Sequence, residues 1–413
     1  MSHPFDSRRR RVLAGTLGAT ALGPWARLAF AFAGNPSNTS SLNRFVFVIL
    51  RGGLDGLSAV PAIGDASFAA ARGPLAQFGG APLALDETFA LHPNLAQLHA
   101  MYGRNELVVV HAVGLPYRDR SHFDAQQVLE SGGARPFELA TGWLGRALAR
   151  SNGNGLALNT SVPLVLRGPG VIDTWAPSAF PEPGADLVGR LGLMYARDPA
   201  LAVALERAKA LHFDNAAASI RTSATATATG STSDGRPGAR VGNFAQLAAR
   251  AAEFLAAPAG PQAAVLELSG WDTHANQANP AGPLATYLRQ LDTGLAALRE
   301  GLIPSGTWRR TVVVVATEFG REVAVNGTLG TDHGTGAAAF VCGGAVAGGR
   351  VVADWPGLAK RDRNDGRDLR ITTDLRSVLK GVLADHWRIA TPALNDDVFP
   401  DTRALRTVSL LKA

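Results

Sequence analysis

The sequence predicts an α/β protein of three layers, with helices on both faces of a mostly parallel central sheet. Three observations carry this. Short runs rich in β-branched residues recur along the chain. Longer segments with helical spacing lie between them, the order that parallel strands need for their crossovers. Acidic and histidine residues collect just after the apolar runs, where open α/β sheets gather their functional groups. A length of 413 residues is ample for one large domain.

In chain order, Phe45–Leu50 reads as the first buried strand and Leu107–His111 as the second. Ala263–Leu268 is the third. Thr311–Ala316, with four successive valines, is the clearest, and Ala337–Cys342 is the fifth. Helical patterns cover Asn94–Tyr102, Pro199–Leu211, Gln246–Leu255, Leu284–Leu302 and Leu375–Trp387. Asp198 before Pro199 is an N-cap followed by a first-turn proline, and Asp374 stands where an N-cap of the last helix belongs. Ser219–Gly238 is built of Ser, Thr, Ala and Gly, too little apolar surface for a core, and reads as a surface loop. It sits in a mainly helical insertion over about residues 180–260, predicted to cap the sheet edge.

The chain starts with an address. Ser7-Arg8-Arg9-Arg10-Arg11-Val12-Leu13 is followed by a weakly apolar stretch and by Ala31-Phe32-Ala33, a small-x-small cleavage site. Pro24 and Arg27 break the apolar stretch, which argues against a stable membrane span. The order resembles a twin-arginine signal over residues 1–33, with a flexible lead-in at 34–43 and the body at 44–413. The expected location is periplasmic or secreted, with the twin-arginine export (Tat) machinery as a partner. The net charge of +6 also shrinks on this reading: five arginines and one aspartate lie in the first 33 residues, so the body carries only +2. A body so nearly neutral gives no footprint for nucleic acid. The single cysteine, Cys342, excludes an intrachain disulfide and reads as a small buried hydrophobe.

The chemistry sits after the strands. Arg51-Gly52-Gly53-Leu54-Asp55-Gly56 follows the first, and a loop ending Arg118-Asp119-Arg120-Ser121-His122-Phe123-Asp124 follows the second. Gly270-Trp271-Asp272-Thr273-His274 follows the third and Thr317-Glu318-Phe319-Gly320-Arg321 the fourth. Gly330-Thr331-Asp332-His333-Gly334 precedes the fifth. Carboxylates and imidazoles beside a hydroxyl are the donor set of divalent Zn, Mn or Mg, and such ions stabilise charge on a transferring phosphoryl or sulfuryl group. Arg51, Arg118, Arg120 and Arg321 are the candidate anion binders. Each motif has a plainer reading too. Ser121-x-x-Asp124 resembles a capping box, Asp55 can bond its own turn, Asp272 and His274 can pair structurally, and Glu318 can pair with Arg321. Asp332 beside His333 can orient a ligating imidazole. His92, His99, His111, His212 and His386 receive no function.

Taken together, RGGLDGL, RSHFDAQ, GWDTH, ATEFGR and TDHGTG resemble the DUF1501 family, and the order of acids, hydroxyl and histidines resembles the alkaline-phosphatase-like (sulfatase-like) superfamily. The resemblance spans about Phe45 to Pro400. It implies an alkaline-phosphatase-like fold and a hydrolase of phosphate or related sulfate esters, with an anionic ester as substrate and one or two divalent ions as cofactor. By position, Ser121 would be the nucleophile, with Arg120 and Arg321 on the anionic group. Asp272, His274 and His333 would hold one ion, and Asp55 and Glu318 another. The superfamily's usual Asp-His pair after the valine-rich strand is replaced here by Thr317-Glu318-Phe319. Cys342 lacks the Cys-x-Pro-x-Arg setting of formylglycine sulfatases. Two other classes stay open: a non-catalytic exported binding or assembly protein on the same fold, and a carbohydrate-active enzyme using Asp and Glu alone.

Overall fold

A computed structural model describes residues 43–177, 185–212 and 244–412. The signal at 1–33, nearly all of the lead-in and the Ser219–Gly238 loop lie outside the described residues. The chain divides into two compact units. The described part of the smaller consists of α6 (Ala185–Tyr195) and α7 (Pro199–His212), which pack on each other. Asp198 caps α7 as expected, its Oδ1 accepting from the backbone N–H of Ala200 at 3.0 Å and of Leu201 at 3.1 Å.

The larger unit carries the sheet. Its strands are β1 (Arg44–Arg51), β4 (Leu107–Gly114), β5 (Asn154–Ala157), β6 (Val171–Thr174), β7 (Ala263–Ser269), β8 (Thr311–Thr317), β9 (Ala337–Cys342), β10 (Arg350–Val352) and β11 (Thr373–Asp374); β2 (Leu83–Ala84) and β3 (Ala90–Leu91) form a separate ribbon. The order is β10-β4-β9-β8-β1-β7-β5-β6, with β11 continuing the β10 edge of β4. Within this sheet all pairings are parallel except those of β9, which runs antiparallel to both β4 and β8. Four short strands at the sheet margins, β5, β6, β10 and β11, each only two to four residues long, were not expected. Asn-Gly-Leu-Ala of β5 is strand because β7 offers a free ladder, with Gly155 opposite Ala263.

Both faces of the sheet are covered, as the unbroken apolar runs require. On one face Phe45, Phe47 and Ile49 join Val312, Val314, Val265 and Val110 in a single core with α4 (His122–Ser131), α5 (Trp143–Arg150) and α10 (Leu375–Trp387). Trp143 anchors it, edge-on to Phe47 at 5.1 Å and stacked on Phe399 at 5.6 Å. The alternate residues Val46, Val48 and Leu50 are equally buried. On that side α3 (Ala96–Gly103) packs on β4 and α8 (Phe244–Ala256) on β7, with α9 (Pro283–Leu302) against both helices. Asp374 caps α10 by accepting from the N–H of Arg376. Cys342 is buried, and burial pushes its thiol up to about 12.

Candidate metal centre

Strand direction brings the chemistry to one rim. β1, β4, β7 and β8 are parallel neighbours or near neighbours, so the segments after them share an edge. β9 runs the other way, so the turn before it reaches that same edge. Close backbone approach knits the loops together. Gly52 has φ +119°, and a Cβ there would lie 2.5 Å from the Asp272 nitrogen. A Cβ on Gly330 would lie 2.1 Å from the carbonyl of His274. Only glycine fits either place, which accounts for these residues in the first and last rim motifs.

The loops bring three imidazoles and one carboxylate into one cluster with His333 and Asp272 at its centre. His122 Nε2 is 3.0 Å from His333 Nε2, and His274 Nε2 is also 3.0 Å from it. Asp272 Oδ1 is 3.0 Å from His333 Nε2, 2.9 Å from His274 Nε2 and 3.5 Å from His122 Nε2. Each ring is held from behind through Nδ1. His122 Nδ1 bonds Glu318 Oε1 at 2.9 Å, His333 Nδ1 bonds the Arg120 carbonyl at 3.1 Å, and His274 Nδ1 bonds Asp332 Oδ1 at 3.2 Å. All three partners are acceptors, so each neutral ring carries its proton on Nδ1 and turns the Nε2 lone pair inward. Lone pairs on three nitrogens and a carboxylate oxygen at such spacing repel unless a cation stands among them or one ring takes a proton.

These residues fit a divalent metal. Donor atoms bound tetrahedrally at about 2.0–2.1 Å lie roughly 3.3 Å apart, close to the spacing seen. Imidazoles anchored through their far nitrogen by a carboxylate or carbonyl are the usual form of a metal-ligating histidine. His122, Asp272 and His333 come mutually close enough for one ion, and His274 adjoins Asp272 and His333.

The charges support this arrangement. Burial opposes ionisation of Glu318, but hydrogen bonds from His122, from its own backbone N–H and from Gly52 hold its carboxyl below the ordinary value. Gln126 also donates to Glu318 Oε1. The bond to Glu318 in turn raises His122. Burial, with the neighbouring His122, lowers His333. Asp272 is held low against its burial by Arg321, whose Nη1 donates to Oδ1 at 2.6 Å.

The candidates named from sequence divide. The structure places Asp272, His274 and His333 within about 3.0 Å of one another, and Glu318 reaches them through His122. Asp55 does not join them. Its carboxylate caps α1 (Gly56–Ala59) by accepting from the N–H groups of Leu57 and Ser58, and it is paired with the buried Arg72 and bonded by Ser58 Oγ and Gln277 Nε2. Every acceptor site it has is taken by a donor, so the expected ligand is an anchor instead. Arg321 is also corrected. Its guanidinium is buried and bonds Asp272, Thr331 and the Gly52 carbonyl, and Arg321 is not among the residues that line the open cleft. Arg51 is bound to Glu267 and Glu130, and Arg118 Nη1 donates to the Leu115 carbonyl. Arg120 pairs with the buried Asp368 yet remains on the wall of an open cleft of about 670 Å³, together with His274, Asp332, His333, Asp365 and Arg367. Ser121 is the N-cap residue of α4 but makes no side-chain capping bond, so the capping-box reading does not hold. Asp332 orients His274 rather than its neighbour His333. His122 was missed. It follows Ser121 in the same motif, and its place just after the second strand is the signal that marks it as the third imidazole of the rim.

A family model for proteins of unknown function, DUF1501, matches residues 111–399. The chain belongs to the DUF1501 family. The matched span includes every member of the cluster and excludes Asp55. A comparison with curated proteins returns no match. Among solved structures, Ps i-CgsB in complex with k-i-k-neocarrahexaose shares 11% identity over 89% of this chain and 77% of its own, with a TM-score of 0.43. The phosphonate monoester hydrolase of Agrobacterium radiobacter shares 12% over 75% and 70%, TM-score 0.36. The PsFucS1 sulfatase of a Pseudoalteromonas species shares 13% over 84% and 68%, TM-score 0.34. These likenesses are distant. Among the described residues no helix is long and apolar enough to cross a membrane.

Proposed function

We propose that this DUF1501 protein is an exported hydrolase of phosphate or related sulfate esters that works with a bound divalent metal, Zn, Mn or Mg. The observation that carries the reading is the convergence of two Nδ1-anchored imidazoles, His122 and His333, with Asp272, while the anchored His274 adjoins Asp272 and His333 and lines, with His333, an open cleft. A divalent ion there supplies Lewis acidity toward an ester oxygen. Glu318, the Arg120 carbonyl and Asp332 fix the rings, and Arg321 fixes Asp272. Arg120 and Arg367 are the cations on the cleft wall and would meet the anionic group of the ester. Ser121, whose hydroxyl is not spent on capping its helix, is the proposed nucleophile. The arginine-rich start supports export through the twin-arginine route to the periplasm or beyond, in which the folded body carries its metal with it.

With Asp55 committed to Arg72, a second ion has no full set of ligands among the described residues, so one metal per chain is expected. Elemental analysis of folded protein prepared without chelator should find about one divalent ion per chain. Hydrolysis of a panel of aryl phosphate and sulfate esters should be lost on chelation and restored by adding Zn, Mn or Mg. Metal bound without turnover on any ester would favour the non-catalytic binding protein. Turnover that survives chelator would favour carboxylate-only chemistry. Unchanged turnover in Ser121→Ala would remove that residue from the reaction.

A further inference from the structure

Resting on the metal-site reading above, we infer that a buried hydrogen-bond relay from Asp55 through Gln277 and Thr331 to Arg321 positions Asp272 for the metal, making Gln277 and Thr331 positioning residues. Asp55, Gln277, Thr331 and Arg321 are each at most 5% exposed, so none of their polar groups can turn to water instead. Donor and acceptor roles run in one direction along the relay. Asp55 accepts from the Gln277 amide nitrogen. Gln277 Oε1 then accepts from the hydroxyls of Thr331 and Thr273, each at 2.7 Å. Thr331 has one proton and gives it to Gln277, so its lone pair faces Arg321 Nε at 3.1 Å. Arg321, also held by the Thr331 carbonyl, aims Nη1 at Asp272 Oδ1.

The far end of the relay is fixed as well. Arg72 pairs with Asp55 and donates to the carbonyls of Glu322 and Val323, the two residues after Arg321. Thr273 lies between Asp272 and His274, and Thr331 two residues before His333. The Gln277 oxygen therefore ties together the two loops that supply these three members of the cluster. Such a device holds the Asp272 oxygen where the imidazole lone pairs meet, which is worth affinity because groups behind a ligand typically change metal binding by about 10–100-fold.

The test compares Thr331→Val with Thr331→Ser in the full chain, reading Co²⁺ or Zn²⁺ affinity by chelator competition and the Co²⁺ absorption spectrum. Thr331→Val keeps the shape and loses the hydroxyl; it should weaken binding about 10-fold and alter the spectrum. Thr331→Ser restores the hydroxyl and should bind within about twofold of the parent, the small margin left by an intact bond. A valine variant that binds like the parent, or a serine variant as weak as valine, overturns the relay. If Thr331→Val does not fold, Gln277→Met breaks the same relay one step earlier, and parent-like affinity there overturns it equally. A parent protein that binds neither metal sinks the metal-site reading itself, a result distinct from these.

Discussion

Asp55 and Asp272 both follow buried strands of the same sheet, and both are held at a carboxylate value below the ordinary one. Their surroundings are opposite. Around Asp55 stand donors: a buried guanidinium, an amide, a hydroxyl and two backbone N–H groups. Around Asp272 stand one guanidinium and three imidazole nitrogens whose protons are committed elsewhere. The first pocket is electrically complete. The second has an excess of lone pairs and so a demand for a cation. A carboxylate at a strand end is thus an anchor or a ligand according to what its neighbours donate, and its position along the sheet does not decide between them.

Removing each acid breaks the comparison open. Asp55→Ala leaves Arg72 charged in a site with no exposure, a loss typically of about 3–5 kcal/mol. Asp272 is 43% exposed, so water already screens its pairing with Arg321 and can enter when it is removed, and Asp272→Ala should cost the metal-free fold less. Its metal binding should collapse, while residual folded Asp55→Ala keeps the ligands. Urea unfolding with chelator present, set beside metal retention on desalting, separates the two. Equal stability losses would mean that both acids serve the fold alone.

Glu318 sharpens the same contrast one step out from the metal. It is buried and touches no Nε2 of the cluster, yet it fixes the proton of His122 on Nδ1. Glu318→Gln keeps the shape and offers an amide, a weaker and partly wrong partner for that ring. Metal affinity should fall about 10–100-fold, less than for loss of Asp272. A variant with parent-like affinity would show that His122 needs no such support.

This division explains what was legible. The five strands of the core stood out because each is a continuous apolar run, and the helices between them because their spacing differs. Placing the acids and histidines after those strands followed from topology. The marginal strands β5 and β6 were hidden because each is only four residues long and is paired onto the strand beside it, β5 onto β7 and β6 onto β5. Arg321 and Asp55 were misjudged for one reason: sequence order shows that a charge is near a rim, not whether another charge already neutralises it. Arg72, which decides the fate of Asp55, sits 17 positions away on α2 (Phe68–Arg72) in a segment without any strand or motif signal. His122 was visible as a third rim histidine, but only the bond to Glu318 from a distant loop reveals its role.

Acidification should pull the two pockets apart by smaller steps. In the metal-free protein, Asp55 keeps its charge below the ordinary aspartate value of about 3.9. An unfolded chain takes up that proton first, so the stability from ionised Asp55 is complete above about pH 4 and fades only as the pH falls further. The stability gap between the parent and Asp55→Asn, measured with chelator, should therefore stay level from pH 7 to pH 5 and close below about 4. The cluster behaves otherwise, because a ring must be unprotonated to ligate. His122, raised by its bond to Glu318, accepts a proton as the pH drops from neutrality, whereas the lowered His333 holds its lone pair further down. Bound metal, followed by equilibrium dialysis, should accordingly be released between about pH 7 and 5 while the Asp55 gap is unchanged. If the gap closes over the same interval in which metal leaves, the two aspartates belong to one electrostatic unit and their separation here is wrong.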